Sequence, residues 1–142
     1  MTRFLSLLAS FAVACTTGVD REYELTRGIL DPHFYYLEGP TIVVPKEAQI
    51  GEPVTVRVTT FGDGCRLEGQ TTRKVDALVA TVEPYDSVCV NCNVCTRELR
   101  IFEHVANVEF ADTGQATVRI LGAIAPADTV GTVEFVVDVH DL

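Results

Sequence analysis

The strongest constraint on this chain is a repeated alternation of apolar and polar side chains at period two. After Gly51-Glu52-Pro53, Val54, Val56 and Val58 alternate with Thr55, Arg57 and Thr59; near the C-terminus Val133, Phe135, Val137 and Val139 alternate with Glu134, Val136, Asp138 and His140. Successive side chains of a strand point to opposite faces, so this period puts one face on a core and the other in solvent. Shorter runs repeat the theme. Thr41-Ile42-Val43-Val44 is β-branched and is stopped by Pro45, and Val75 to Val82 and Val105 to Phe110 are mostly apolar. Gln115 to Leu121 is closed by Gly122. Phe61 to Gly64 and Ala111-Asp112-Thr113-Gly114 carry turn chemistry. Only Thr96 to Glu103 has the mixed spacing that also admits a short helix. About seven short strands in roughly 100 residues predict an all-β, antiparallel fold.

Composition removes several alternatives. The 142 residues suffice for one domain, and 47% hydrophobic against 22% charged side chains is ordinary for a packed globule, not for a disordered acidic chain. No apolar run reaches the roughly 18 residues of a membrane-spanning helix. Eleven Lys plus Arg face 20 Asp plus Glu, a formal charge of −9, and the sequence holds no basic cluster. Such a chain repels phosphate backbones, so no nucleic-acid partner is expected.

The first residues read as an export address. Met1-Thr2-Arg3 supplies one positive charge, and Phe4 to Ala14 is an apolar stretch of signal-peptide length. Ala12-Val13-Ala14 then precede Cys15, and Thr16, Thr17 and Gly18 stop a helix rather than extend it. The segment resembles the lipobox of bacterial lipoprotein signal peptides, although Ala12 stands where Leu is usual. The resemblance implies that residues 1–14 are removed and that Cys15 becomes a lipidated N-terminus. Two or more acyl chains hold a protein firmly on a membrane at about 0.8 kcal/mol per buried CH₂. It also implies a bacterial cell-envelope location, and Thr16 in place of the Asp that retains proteins at the inner membrane favours the outer one. Two other readings stay open: an ordinary signal cleavage after Ala14 that leaves Cys15 unmodified, and a buried N-terminal helix.

Residues 15–40 read as a lipidated N-terminus and linker. Gly18, Gly28, Pro32, Gly39 and Pro40 lie among charges without a sustained period. A flexible chain of this length reaches roughly 25 to 30 Å. Phe34-Tyr35-Tyr36-Leu37 is too apolar for a pure spacer and is expected to dock on the domain or to form a contact patch.

For residues 41–142 the strand pattern resembles the immunoglobulin-like or fibronectin-like β-sandwich of bacterial surface domains. Asp112-Thr113-Gly114-Gln115-Ala116-Thr117-Val118 is similar to the corner before the sixth strand of immunoglobulin domains, with Ala116 at the Tyr position and Val118 at the Cys position. With no Trp in the chain, neither the tyrosine corner nor a Trp-packed cystine can form. A small β-barrel is the competing architecture.

Setting Cys15 aside, Cys65, Cys89, Cys92 and Cys95 form an even set suited to an oxidising compartment. The favoured pairing is Cys65 with Cys95 and Cys89 with Cys92, because the first bridge closes the end of one strand on the start of another. Cys65 with Cys89 and Cys92 with Cys95 is the rival. In the loop-entropy account the long closure contributes about 3.7 kcal/mol and the short one about 1.9. Zinc ribbons need two separated knuckles, a ferredoxin run needs a fourth cysteine before proline, and a thioredoxin-like pair needs a βαβ setting. The Cys89, Cys92 and Cys95 spacing satisfies none of these, so no cofactor and no metal are expected.

Catalytic patterns are equally sparse. Ser87 is the lone serine after the export segment and lacks a nucleophile elbow. His33, His104 and His140 are isolated and read as packed or surface residues. Asp63, Asp138 and Asp141 lack the dense spacing of a calcium loop. The expectation is a lipid-anchored, non-enzymatic envelope protein, a binding or structural module for an envelope protein or small ligand. The rival reading is a thiol-redox or metal-handling protein built on Cys89, Cys92 and Cys95.

Overall fold

A computed structural model describes residues 20–34, 37–126 and 129–142. The export segment and Cys15 therefore lie outside the described residues, as do Tyr35 and Tyr36 of the apolar patch. The described residues contain no helix, so Thr96 to Glu103 is loop and strand, not the short helix its spacing also admitted.

Ten strands follow one another along the chain: β1 (Tyr23–Arg27), β2 (Ile29–Leu30), β3 (Ile42–Val43), β4 (Glu47–Gln49), β5 (Pro53–Gly62), β6 (Arg66–Asp76), β7 (Val79–Cys89), β8 (Arg100–Glu109), β9 (Gly114–Ile124) and β10 (Thr129–His140). Hydrogen bonding joins all ten into one sheet that curls on itself. In one half, β5 lies between β8, paired over its whole length, and β3. In the other half, β9 lies between β10 and β7, and β7 carries β1 and β6. Short β2 closes the curl, because Ile29 pairs with Phe61 of β5 and with Ala123 of β9.

This arrangement corrects two expectations. The sheet is mixed, not purely antiparallel: β7 runs parallel to β9, β2 parallel to β9, and β4 parallel to β10. Period two reports which face a side chain takes and is blind to the direction of the neighbouring strand. The ordered fold also starts before residue 41, since Tyr23–Arg27 pairs with β7 within the span that reads as a linker. Phe34 docks on the domain, its ring centroid 4.3 Å from that of Phe61.

The core grows from the alternation. Val54, Val56 and Val58 of β5 and Ala116, Val118 and Ile120 of β9 point inward and are buried, with Val137 and Val139 of β10 beside them. Phe110 and Leu30 fill the middle. Each fully buried Val, Leu, Ile or Phe contributes roughly 1.5–3 kcal/mol.

One strand has no such signature. β6 is almost entirely exposed and polar, and the apolar run from Val75 to Val82 is broken by a tight turn at Ala77 and Leu78. Ala77 has φ of 50°, the left-handed region that hairpin turns of this length need and that Gly enters most easily.

Candidate functional site

Two features stand out from the scaffold, both on the β6–β7 ribbon. The first is a corner of four cysteines. β7 ends at Cys89, whose N–H donates to the Cys65 carbonyl at 2.9 Å, so the two cysteines face each other just before β6 begins. The loop after β7 folds back and joins Cys92 to Cys89 and Cys95 to Cys65, with Cα separations of 5.6 and 5.1 Å. These are the pairs favoured in the sequence, where the first closes one strand end on the start of another.

Side chains and backbone sew the same loop to both flanks. Gly64 N–H donates to Thr96 O, and a side chain at Gly64 would collide with Thr96. Asn91 accepts the Glu22 N–H through Oδ1 and donates through Nδ2 to Asp20 O, each at 2.8 Å, so the chain entering β1 is tied to the corner. Cys65 and Cys89 are buried, Cys92 is half-buried and Cys95 is exposed.

Asp63 accepts the Cys65 N–H at 2.9 Å, and its carboxylate lies within 4.8 Å of the Cys65 and Cys95 sulfurs. Metal binding at such a cluster requires thiolates. With the two sulfurs bonded to each other, only the Asp63 carboxylate is left as a strong ligand. The donor set fits a metal only in a reduced protein.

The second feature is a buried polar cluster on the inner side of the ribbon. Asp86 of β7, Thr60 of β5 and His104 of β8 are all essentially without solvent contact. Thr60 Oγ1 donates to Asp86 Oδ1 at 3.0 Å, and His104 Nε2 lies 3.0 Å from the same oxygen. His104 Nδ1 meets Thr71 Oγ1 of β6 at 2.9 Å. With Nε2–H directed at Asp86, Nδ1 accepts the Thr71 proton. Asp86 Oδ2 has no hydrogen-bond partner among the described residues. Gly28 lets the β1–β2 backbone approach this oxygen, because a Cβ there would stand 3.2 Å from Oδ2 and 3.0 Å from the Thr60 Cβ.

The chain from Asp86 through His104 to Thr71 has the order of an acid, a base and a hydroxyl. With Thr60, its members tie four strands together across the gap between β6 and β8, which share no backbone ladder. Thr71 lies opposite Pro84, where the β6–β7 ladder resumes after its break in register at Glu68. The hydrogen bonds of this cluster cross-link the strands that carry it.

Around the ribbon lie weaker electrostatic features. Arg27 pairs with Glu83 at 3.3 Å, and the Tyr85 hydroxyl donates to Glu83 at 2.6 Å. That hydrogen bond, with burial and the Glu83 charge adding to it, raises the Tyr85 pKa above its usual value. Glu98 is held below the usual carboxylate range by its hydrogen bonds to Arg100, then to Thr96. Arg27 and Arg66 also line a cavity of about 290 Å³ with Thr26, Ile29, Ala123 and Val130.

The remaining residues singled out from sequence are dispersed. His33 and His140 are exposed, and Asp138 and Asp141 lie on the surface near the C-terminus, far in sequence from Asp63. The cysteine corner was visible in the sequence. The polar cluster was not, because Thr60, Thr71, Asp86 and His104 come from four strands and form no linear motif. Among the described residues no helix is long and apolar enough to cross a membrane. No family model, no curated protein and no solved structure matches the chain.

Proposed function

We propose that this chain is a lipid-anchored protein of a bacterial cell envelope, moored through Cys15, whose curled β-domain is a non-catalytic binding or structural module. The observation that carries this reading is the pair of cystines at one corner of the domain. Structural disulfides persist in oxidising compartments, which agrees with an export address ending in Ala12-Val13-Ala14-Cys15. We read the curled sheet as a relative of the immunoglobulin-like sandwich: β3 joins β5 in one half, β4 joins β10 in the other, and β7 departs from the antiparallel plan. An outer-membrane position follows from Thr16 under the sorting rule that the lipobox resemblance implies.

Detergent partitioning tests the anchor. The mature protein is expected in the detergent phase, and Cys15→Ser is expected to move it to the aqueous phase. A wild-type protein already in the aqueous phase overturns the anchored reading.

A second reading is favoured by the exposure of Cys95 beside Asp63: thiol-redox or metal-handling chemistry at the same corner. Intact mass with and without reduction, together with metal analysis of native protein, separates the two. A structural framework predicts no free thiol among Cys65, Cys89, Cys92 and Cys95 and no bound metal. Free thiols or stoichiometric metal favour the rival.

A further inference from the structure

We propose that β10 is a self-pairing edge, through which two copies of this chain join antiparallel about a twofold axis at Val133. The inference is independent of the lipid anchor and of the state of the cysteines.

An edge strand with free N–H and C=O groups is a template for another strand. Most long edges of this sheet are occupied or defended. β8 lies beside β6, with the Thr71–His104 hydrogen bond spanning the gap. β6 carries Glu68, Arg73, Lys74 and Asp76 and breaks its register between Glu68 and Thr71. Charges and bulges are the usual protections of an edge.

β10 has no bulge, and from Val130 to Val136 its one charge is Glu134, already paired with Arg119 of β9 at 2.8 Å. One side pairs with β9 over eleven consecutive residues without a shift. The other side meets β4 only from Asp138 to His140. From Val130 to Val136, no strand among the described residues covers that side. Asp138 N–H donates across this edge to Lys46 O, and backbone direction alternates along a strand. The groups of Val136, Glu134, Thr132 and Val130 therefore face the same open edge. A groove of about 560 Å³ runs beside it, lined by Ile42, Val43 and Val44 from the chain that crosses between the halves.

The side chains select one partner and one register. With the axis at Val133, Val130 stands opposite Val136 of the partner copy and Thr132 opposite Glu134, each twice by symmetry. Val130 and Val136 are 60% and 56% exposed, so the pairing covers the two large apolar side chains that β10 leaves in solvent. On the inner face Phe135 falls opposite Gly131, where an aromatic ring can cover the bare backbone of an edge glycine. Gly131 cannot carry a side chain of its own, because a Cβ there would come within 2.6 Å of Ile124.

Moving the axis by one residue toward the C-terminus sets Glu134 against Glu134, a like-charge pair that is destabilising. Moving it the other way sets Val136 against position 128, an Asp. Pairing stops at Val136, since the next edge-facing group is already bonded to Lys46. The charge of −9 on each chain opposes association at long range, so added salt should tighten the dimer.

The test uses the full chain in detergent, in a Cys15→Ser background so that no free thiol precedes the domain. Sedimentation should give a dimer whose dissociation constant falls as salt is raised. Val133→Cys should form an intermolecular disulfide on mild oxidation, because facing residues of a non-hydrogen-bonded pair lie about 4.5 Å apart. Val105→Cys, exposed on β8, should not. Val136→Lys should weaken the dimer roughly tenfold or more while leaving the circular dichroism and melting of the monomer unchanged. A chain that stays monomeric at the highest concentration reached overturns the proposal. So does a dimer that tolerates Val136→Lys and fails to cross-link at position 133.

Discussion

The β6–β7 ribbon and the β10 edge lie in the same sheet and solve opposite problems. The β6 strand of the ribbon is polar outside, and beyond its ladder to β7 its attachment rests on specific bonds: two cystines at its end and the Thr60, Asp86, His104 and Thr71 cluster along its length. β10 is held by apolar burial and a regular ladder to β9, and leaves a clean edge. A strand with little apolar surface to bury needs covalent or polar attachment, whereas a strand rich in valine attaches through its face. The contrast predicts that single substitutions on the ribbon act on folding, while substitutions on the β10 edge act on association.

The sharpest way to break that contrast is His104→Ala. Losing the imidazole leaves the buried Asp86 carboxyl with only the Thr60 hydroxyl and cuts the tie to Thr71, and removal of one member of a buried pair costs roughly 3–5 kcal/mol. Chemical denaturation should place the variant that far below wild type; a loss of less than about 1 kcal/mol would make the cluster incidental. Replacing Cys65 and Cys95 together by Ala should cost about 3.7 kcal/mol, against about 1.9 for Cys89 and Cys92. Equal losses would mean that the corner acts as one local unit and not through closure of the long loop.

Ala77→Gly should raise stability by about 1 kcal/mol, since it relieves a left-handed φ of 50° in the β6–β7 turn. The smallest effect concerns Tyr85. Its pKa is raised in the folded state, so the stability it contributes is complete below about pH 10 and fades as pH rises through the folded value. Following phenolate absorbance against pH should reveal one tyrosine titrating late in wild type and absent from Tyr85→Phe.

Legibility in the sequence followed the same division. β5, β9 and β10 were readable because Val54 to Val58, Ala116 to Ile120 and Val133 to Val139 alternate against a core. β6 was not, because an exposed edge strand has no buried face to leave a period. Tyr23 to Leu30 read as a linker for a related reason: β1 lies over β7 with Leu25 half in solvent, and β2 is only two residues long. The strand ends that the cysteines flank favoured one pairing and left its rival open, and the placement of Cys65 opposite Cys89 came from strand register.

Alone, the sequence determined that the chain is strand-rich, which faces of its valine strands are buried, and that four cysteines can pair. Those properties follow from covalent neighbours at period two and from chain-closure entropy, both local in origin. The tertiary structure decided that three strand pairs run parallel, that Ile29 closes the curl, that Asp86 and His104 meet, and that β10 keeps an open edge. Each depends on which distant segments become neighbours, and hydrophobic alternation carries no record of neighbour identity or direction.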